Sequence, residues 1–157
     1  MPDMHTDSPG LAATPVIDTV LGVVRLLEPK AMPAPTAGAP VRDWFVASVH
    51  RLEGVVELKE NWDASGSPAP SASSLLAAIR VFCAVAPELP PQPAVVPVLG
   101  GGLQLEWHIG SRELEIEVLP EGDCAYLTVD GGQTDEGLCP ADAAERLRRL
   151  IRWVMQA

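Results

Sequence analysis

The sequence predicts an α+β fold, an antiparallel β-meander of three to four strands with helices packed on one face. Apolar residues in the first half recur at the three- and four-residue spacing of helices, whereas the second half alternates apolar and polar residues as strands do. A chain of 157 residues, 47% of them hydrophobic, is long and apolar enough to bury one core. We therefore expect a single α+β domain over residues 41–157.

Residues 1–40 are expected to form a flexible or partly helical N-terminal extension. The first residues are polar and lack the basic and apolar regions of a secretory signal. Pro15–Glu28 has a helical apolar stripe, although its β-branched residues also allow a strand. Lys30–Pro40 combines prolines with small residues, which indicates an extended linker.

Two helices are expected before the sheet. Over Val41–Lys59, apolar residues recur on one face, namely Phe45, Val49, Leu52 and Val56, with Trp44 and Val55 beside them. Either Ser71 or Ser73 can cap the second helix, and Pro90–Pro91 stops it. The buried side of this second helix is expected to consist of Leu75, Leu76, Ile79, Phe82 and Cys83.

The alternating segments Leu103–Ile109 and Glu113–Val118 predict a β-hairpin with a defined register. Gly110-Ser111 between them suits a two-residue type II′ turn. If Ile109 faces Arg112, every apolar residue of one strand meets an apolar residue of the other, whereas a shift by one residue mixes the two faces. The same register places His108 opposite Glu113, Glu106 opposite Glu115, and Gln104 opposite Glu117.

Further elements flank this hairpin. Ala94–Leu99 is expected to be a short strand, a fourth strand is expected around Leu127, and Gly131–Cys139 is expected to be a loop. A last helix is expected to begin at Pro140, with apolar residues inside and arginines outside. Its apolar residues are Leu147, Leu150, Ile151 and Val154, and its arginines are Arg146, Arg148, Arg149 and Arg152.

The predicted hairpin carries a concentrated negative charge. The chain has a net charge of −10, which argues against binding to nucleic acid or to an anionic membrane. Between residues 102 and 137 there are nine carboxylates, and Arg112 is the single cation. Such a face is a solvated surface, a docking site for a basic protein partner, or a contact between copies through the C-terminal arginines. The candidate partner-binding residues are Glu106, His108, Glu113, Glu115 and Glu117.

Catalytic chemistry is less well supported. The motifs of metalloproteases, EF-hands and nucleophile elbows are absent from the sequence, so no catalytic residue and no cofactor is expected. A metal-dependent hydrolase centred on Glu106, His108 and Glu115 is the alternative. We therefore predict a non-enzymatic interaction module, comparable to an antitoxin, an immunity protein or an accessory subunit.

The three cysteines indicate a reducing compartment. Their odd number and wide spacing argue against a disulfide scaffold, so free thiols in a cytoplasm are expected. Cys83 is expected to be a small core residue, and Cys124 and Cys139 are reactive only if they are exposed.

Three segments resemble a group of small, largely uncharacterised bacterial proteins. They are Asn61-Trp62-Asp63 with Gly66 and Pro68, then Gly101–Trp107, then Leu114–Glu117, in the layout NWDG-G-A-PPS … GG-I-LEW … LEIEV. The chain departs at Ala64, where glycine is typical. The NWD residues read as structural, with Asn61 in a left-handed conformation and Trp62 filling the space near Trp107. The alternative is a recognition pocket formed by Trp62, Asp63 and Trp107, beside Glu106.

Overall fold

A computed structural model describes residues 38–157. The predicted tail, the segment Pro15–Glu28 and most of the linker lie outside the described residues. The described chain contains helices and one antiparallel sheet, which confirms the α+β fold. The sheet has five strands that follow one another in sequence order, so the expected number of three to four was too low.

The helices lie before and after the sheet along the chain. They are α1 (Ala39–His50), α2 (Glu53–Val56), α3 (Ala72–Val85) and α4 (Ala144–Met155), with a 3-10 turn over Ala86–Glu88. The strands are β1 (Ala94–Val98), β2 (Gly102–Ile109), β3 (Arg112–Val118), β4 (Cys124–Asp130) and β5 (Gln133–Leu138). Both α3 and α4 contact β2 and β3, so the centre of the sheet is the part that the helices cover.

One hydrophobic core joins the helices to the inner face of the sheet. The strand residues in this core are at most 2% exposed, and they are Leu103, Leu105, Trp107, Leu114, Ile116 and Val118. Burial of each large apolar side chain stabilises the fold by roughly 1.5–3 kcal/mol. The helices supply matching side chains, among which Leu75, Phe82, Leu147 and Ile151 are 1% exposed or less.

Two buried tryptophans tie the segment before β1 to the core. The indole N–H of Trp44 in α1 donates to the carbonyl of Pro90, and that of Trp107 in β2 donates to the carbonyl of Pro91 at 2.9 Å. The next residue, Gln92, donates through Nε2 to the carbonyl of Trp44 at 3.1 Å. The proline pair that was expected only to stop a helix therefore also satisfies both buried indoles.

The first predicted helix is interrupted. α1 ends at His50, and the amide of Leu52 then bonds to the carbonyl of Val49 at 2.9 Å, three residues earlier. Such short-range bonds tighten the chain and re-aim the following turn, α2. The buried apolar residues of this region are Trp44, Val49, Leu52 and Val55, whereas Phe45 and Val56 are partly buried.

α3 begins where the sequence predicts but buries a different side. Ser71 caps the helix, because its hydroxyl accepts the amide of Ser74 at 2.9 Å. Small residues such as Ala77 and Ala78 face the core and allow α3 to approach the sheet closely. Ile79 is consequently only partly buried, Leu76 and Cys83 are exposed, and the expectation that Cys83 lies in the core was wrong.

The segment expected to be a loop after β4 is a fifth strand. Gly131 and Gly132 both have positive φ, 55° and 87°, as the central residues of a type I′ hairpin turn require. In the hairpin of β2 and β3, Gly110 is the turn residue with positive φ, 57°, which agrees in sign with the predicted type II′ turn. β5 was missed because nearly all of its residues are exposed, so burial leaves no alternating pattern in its sequence.

α4 begins later than predicted. The amide of Ala143 bonds to the carbonyl of Pro140 at 2.9 Å, which closes a turn, and the helix starts at Ala144. Its inward residues Leu147, Ile151 and Val154 are buried as expected, and Leu150 is partly buried.

Replacement of Gly102 by alanine tests the close approach of β2 to β3. A Cβ at Gly102 would lie 2.7 Å from the carbonyl oxygen of Val118, and neither backbone can move away without breaking the ladder. We expect Gly102→Ala to lower the free energy of unfolding by about 1–3 kcal/mol in urea denaturation. The control is Gly54→Ala in α2, where a Cβ meets open space and helix propensity favours alanine. Equal stability of Gly102→Ala and wild type would contradict this packing.

Candidate functional site

The register of β2 against β3 is the predicted one. Ile109 faces Arg112, and Trp107 faces Leu114. Because side chains alternate along a strand, the polar residues between the core positions point to the opposite side of the sheet, which we call the outer face. The five candidate residues all lie there, namely Glu106, His108, Glu113, Glu115 and Glu117.

Like charges oppose one another across this face. Glu106 lies directly opposite Glu115, an arrangement that costs a sheet about 0.2–1 kcal/mol. His108 is more than half exposed, and its Nε2 lies 3.5 Å from Oε2 of Glu106 while its Nδ1 lies 3.8 Å from Oε1 of Glu113. His108, when protonated, thus offsets part of the negative charge at one end of the face.

Glu115 and Glu117 have no such partner. Among residues 38–157, neither forms an ion pair with an arginine, a lysine or a histidine. The nearby cation, Arg112, is directed toward α4, where Nε donates to Asp130 at 2.8 Å and Nη1 donates to the carbonyl of Trp153 at 2.7 Å. Its guanidinium also stacks on the Trp153 ring at 4.9 Å. The centre of the outer face therefore keeps its charge.

Most arginines of α4 are bound to structural groups. Arg146 stacks over the ring of Tyr126 at 5.1 Å and donates to its hydroxyl at 3.3 Å. Arg148 donates to a carbonyl of α3 at 2.9 Å, and Arg152 donates to Glu145 at 2.7 Å. In the described part of the chain, none of the ion pairs connects α4 to the outer face.

The outer face continues onto β4 and β5. Leu127 lies between Glu115 and Glu136, and Ala125 lies between Glu117 and Leu138. The alternate residues of β4, Cys124, Tyr126 and Thr128, face the core. The fourth strand is thus confirmed, but the apolar residues that indicate it in the sequence, Ala125, Leu127 and Val129, lie on the outer face.

A groove of about 430 Å³ crosses these rows. We call it the acidic groove, and its principal side chains are Glu115, Glu117, Glu136, Ala125, Leu127 and Leu138. Its carboxylates surround an apolar floor, and Leu138 is 70% exposed. Sequence reasoning missed Glu136 and Leu138 as site residues because it assigned β5 to a loop. The Gly131-Gly132 pair was the available signal for this strand.

The described residues contain no metal centre of the usual kind. No group of three or more His, Cys, Asp or Glu side chains within residues 38–157 is arranged to hold a metal ion. Glu106, His108 and Glu115 lie side by side on a sheet surface and do not converge. The hydrolase alternative therefore gains no support from the geometry.

The thiols are not activated for nucleophilic chemistry. Cys124 and Cys139 are buried, and burial raises the pKa of Cys124 to about 12 and also raises the pKa of Cys139. Cys83 is exposed, and partial desolvation raises its pKa as well. Since the reactive form is the thiolate, all three side chains are predominantly neutral near pH 7.

The NWD segment forms a closed, self-bonded turn. Asn61 has φ of 64°, and its Oδ1 accepts the amide of Gly66 at 2.7 Å. Asp63 accepts the hydroxyl of Ser67 at 2.6 Å and the amides of Ser65 and Ser67 at 2.9 and 3.1 Å. These hydrogen bonds, that of the Ser67 hydroxyl above all, hold the pKa of Asp63 below its usual range.

The residues of the predicted recognition pocket each have structural contacts. Trp62 is half-buried outside the core, and its indole N–H donates to the carbonyl of Pro68 at 3.1 Å. The expectation that Trp62 fills the space near Trp107 was therefore wrong. Trp107 is 2% exposed and has almost no surface to offer a ligand. The hydrogen bonds of the Asp63 carboxylate all lie within the turn.

Within residues 38–157, no helix is both long and apolar enough to cross a membrane. Comparison with protein-family models, with curated proteins and with solved structures returns no significant match. The resemblance to the NWDG group stays a prediction. What the protein does is therefore inferred from its own residues.

Ala64 offers a test of the turn. Its φ of 58° is a left-handed conformation, which costs an L-residue with a Cβ roughly 1–2 kcal/mol and costs glycine little. We expect Ala64→Gly to raise the free energy of unfolding by about 0.5 kcal/mol, after the greater backbone entropy of glycine in the unfolded chain is subtracted. Ala47→Gly, at an exposed position of α1, is the control and is expected to lower stability. A loss of stability in both variants would contradict the assigned turn conformation.

Asp63 makes the stability of the turn depend on pH. Its pKa is lower in the folded than in the unfolded chain, so its carboxylate stabilises the fold above the unfolded pKa and loses this effect as pH falls through the folded pKa. We expect Asp63→Asn to melt below wild type near pH 7, with a difference that shrinks as the pH falls below 3.8, the ordinary pKa of an aspartate, toward the lower pKa of the folded chain. Melting curves across this range, with Asp142→Asn as the exposed control, measure the effect. A difference independent of pH would contradict it.

Proposed function

We propose that this chain is a non-enzymatic interaction module that binds a basic protein partner through the acidic groove. The observation that carries the proposal is the group of carboxylates that surrounds the apolar floor of the groove. Glu115 and Glu117 have no cationic partner among residues 38–157 and lie in the same groove as Glu136. A partner that supplies positive charge there relieves the repulsion between Glu106 and Glu115.

The groove has the composition that suits lysine or arginine side chains. Their aliphatic stems pack on apolar surface while their charged ends remain polar. Leu127 and Ala125 offer such a surface, and Glu115, Glu117 and Glu136 lie around it. Complementary charge of this kind accelerates association and orients the two proteins.

A different protein is favoured over a second copy as the occupant. The alternative of a homo-oligomer drew its positive charge from the arginines of the last helix. Arg146, Arg148 and Arg152 are bound to groups of the same chain, so Arg149 is the one arginine of α4 that a second copy could offer without breaking such contacts. A role as an antitoxin-like, immunity-like or accessory subunit in a bacterial cytoplasm fits an acidic module with this surface.

Charge reversal tests the acidic groove. Immobilised protein is exposed to a lysate of the cells that encode it, and a retained partner is identified, purified and titrated against each variant. We expect Glu115→Lys with Glu117→Lys to weaken the affinity at least about tenfold, which corresponds to about 1.4 kcal/mol. We also expect wild-type binding to weaken between about 0.05 and about 0.5 M salt, because salt screens exposed charges.

The matched control carries the same change of charge elsewhere. Glu57→Lys with Glu60→Lys alters two exposed residues after α2, outside the acidic groove, and is expected to bind as wild type does. If both double variants bind the partner with equal affinity, or if reversal in the groove leaves affinity unchanged, the proposal is wrong.

A further inference from the structure

The two edges of the sheet differ in their capacity to pair with another strand. Because of the two-residue turn, Ile109 and every second residue before it direct their backbone hydrogen bonds to β3. The residues between them, such as Glu106, direct theirs to β1, where Glu106 pairs with Ala94. The residues between the bonded ones, Val95 and Pro97, direct their backbone groups to the free edge of β1. Because proline has no N–H, Val95 is left as the one outward donor of these two residues.

The edge of β5 has the opposite character. The amide of Cys139 donates to the carbonyl of Cys124 at 2.8 Å, so every second residue of β5 before it also bonds to β4. Thr134, Glu136 and Leu138 therefore direct their amides and carbonyls away from the sheet. No strand among residues 38–157 pairs with this edge, and β5 contains no proline.

A second groove lies under β5 on the helix side. It has a volume of about 550 Å³ and is lined by Leu150 and Trp153 of α4, by Arg146 and Arg149 of the same helix, and by Asp135 of β5 opposite. We call it the inner groove. It lies between α4, which packs mainly on β2 and β3, and β5. Side chains of a strand added beside β5 would point alternately to the inner groove and to the acidic groove.

We propose that the basic partner contributes an extended segment that pairs antiparallel with β5 as a sixth strand. This inference rests on the proposed function and specifies how the partner binds. Lysine or arginine at every second position would face Glu136 and the acidic groove. The apolar residues between them would face Leu150 and Trp153. Hydrogen bonds to β5 supply affinity in this mode, and the alternating side chains supply specificity.

Charge decides against a second copy of β5 as the added strand. Asp135 and Glu136 are adjacent at the centre of the strand, one on each face of the sheet. In an antiparallel pair of two overlapping β5 strands, these carboxylates would lie opposite or diagonal to their own copies. Like charges in such positions destabilise a sheet and protect it against self-association, whereas a basic strand meets complementary charge.

Peptides with blocked amides separate strand pairing from charge attraction. The probe is a short peptide in which lysine and valine alternate, and its affinity is measured by fluorescence anisotropy. In the proposed arrangement the lysine amides point to Thr134, Glu136 and Leu138, and the valine amides point to solvent. We expect N-methylation of the lysine amides to weaken binding at least about tenfold, and N-methylation of the valine amides, at identical charge, to leave affinity unchanged.

A variant of the edge provides the complementary test. Thr134→Pro removes one outward amide without changing any charge, and Thr134→Val, which keeps the amide, is its control. We expect Thr134→Pro to weaken binding of the unmethylated peptide at least about tenfold and Thr134→Val to bind as wild type. Circular dichroism verifies that both variants fold. If Thr134→Pro does not fold, the methylated peptides on wild-type protein decide the question.

The outcomes distinguish this inference from the proposed function. If both methylated peptides bind as tightly as the parent while Glu115→Lys with Glu117→Lys abolishes binding, strand pairing is overturned and the acidic groove stands as the binding site. An unmethylated peptide that does not bind at all also overturns strand pairing. Loss confined to the lysine-methylated peptide and to Thr134→Pro supports it.

Discussion

The pairing of β2 with β3 around Gly110-Ser111 determines the environment of every side chain at the centre of the sheet. With this register, Trp107 lies in the core and donates to the carbonyl of Pro91, so the chain before the sheet is held against it. A shift by one residue would place the glutamates of one of the two strands, Glu106 of β2 or Glu115 of β3, on the core side, where unpaired charges are prohibitively costly. The core and the outer face are thus two consequences of one alignment.

The same carboxylates have two physical effects. Glu106 and Glu115 repel each other and weaken the isolated sheet slightly, and Asp135 and Glu136 oppose association between copies through the edge of β5. Both effects suit a protein that binds a basic partner, because the uncompensated negative charge attracts that partner and repels a second copy of the same chain.

The hairpin was predictable because burial on one side and charge on the other leave a strict alternation in its sequence. β5 has neither feature, because a strand that is exposed on both sides has no alternation of apolar residues. Since the strand was not predicted, its site residues Glu136 and Leu138 were not predicted either. The end of α1 and the orientation of Cys83 depend on how helices approach the sheet, and periodicity alone does not specify that approach. The predicted position of Trp62 near Trp107 was wrong because its indole N–H bonds to the carbonyl of Pro68 within its own turn, outside the core.

The exposure of Cys83 gives the molecule a natural point of attachment for a spectroscopic label. The other two cysteines are buried, so a maleimide dye added to the folded protein reacts selectively at this one sulfur. Because α3 covers the inner face of the sheet, the dye would sit on the side remote from the carboxylates. Energy transfer from this dye would report the approach of another molecule to the far side without obstructing it.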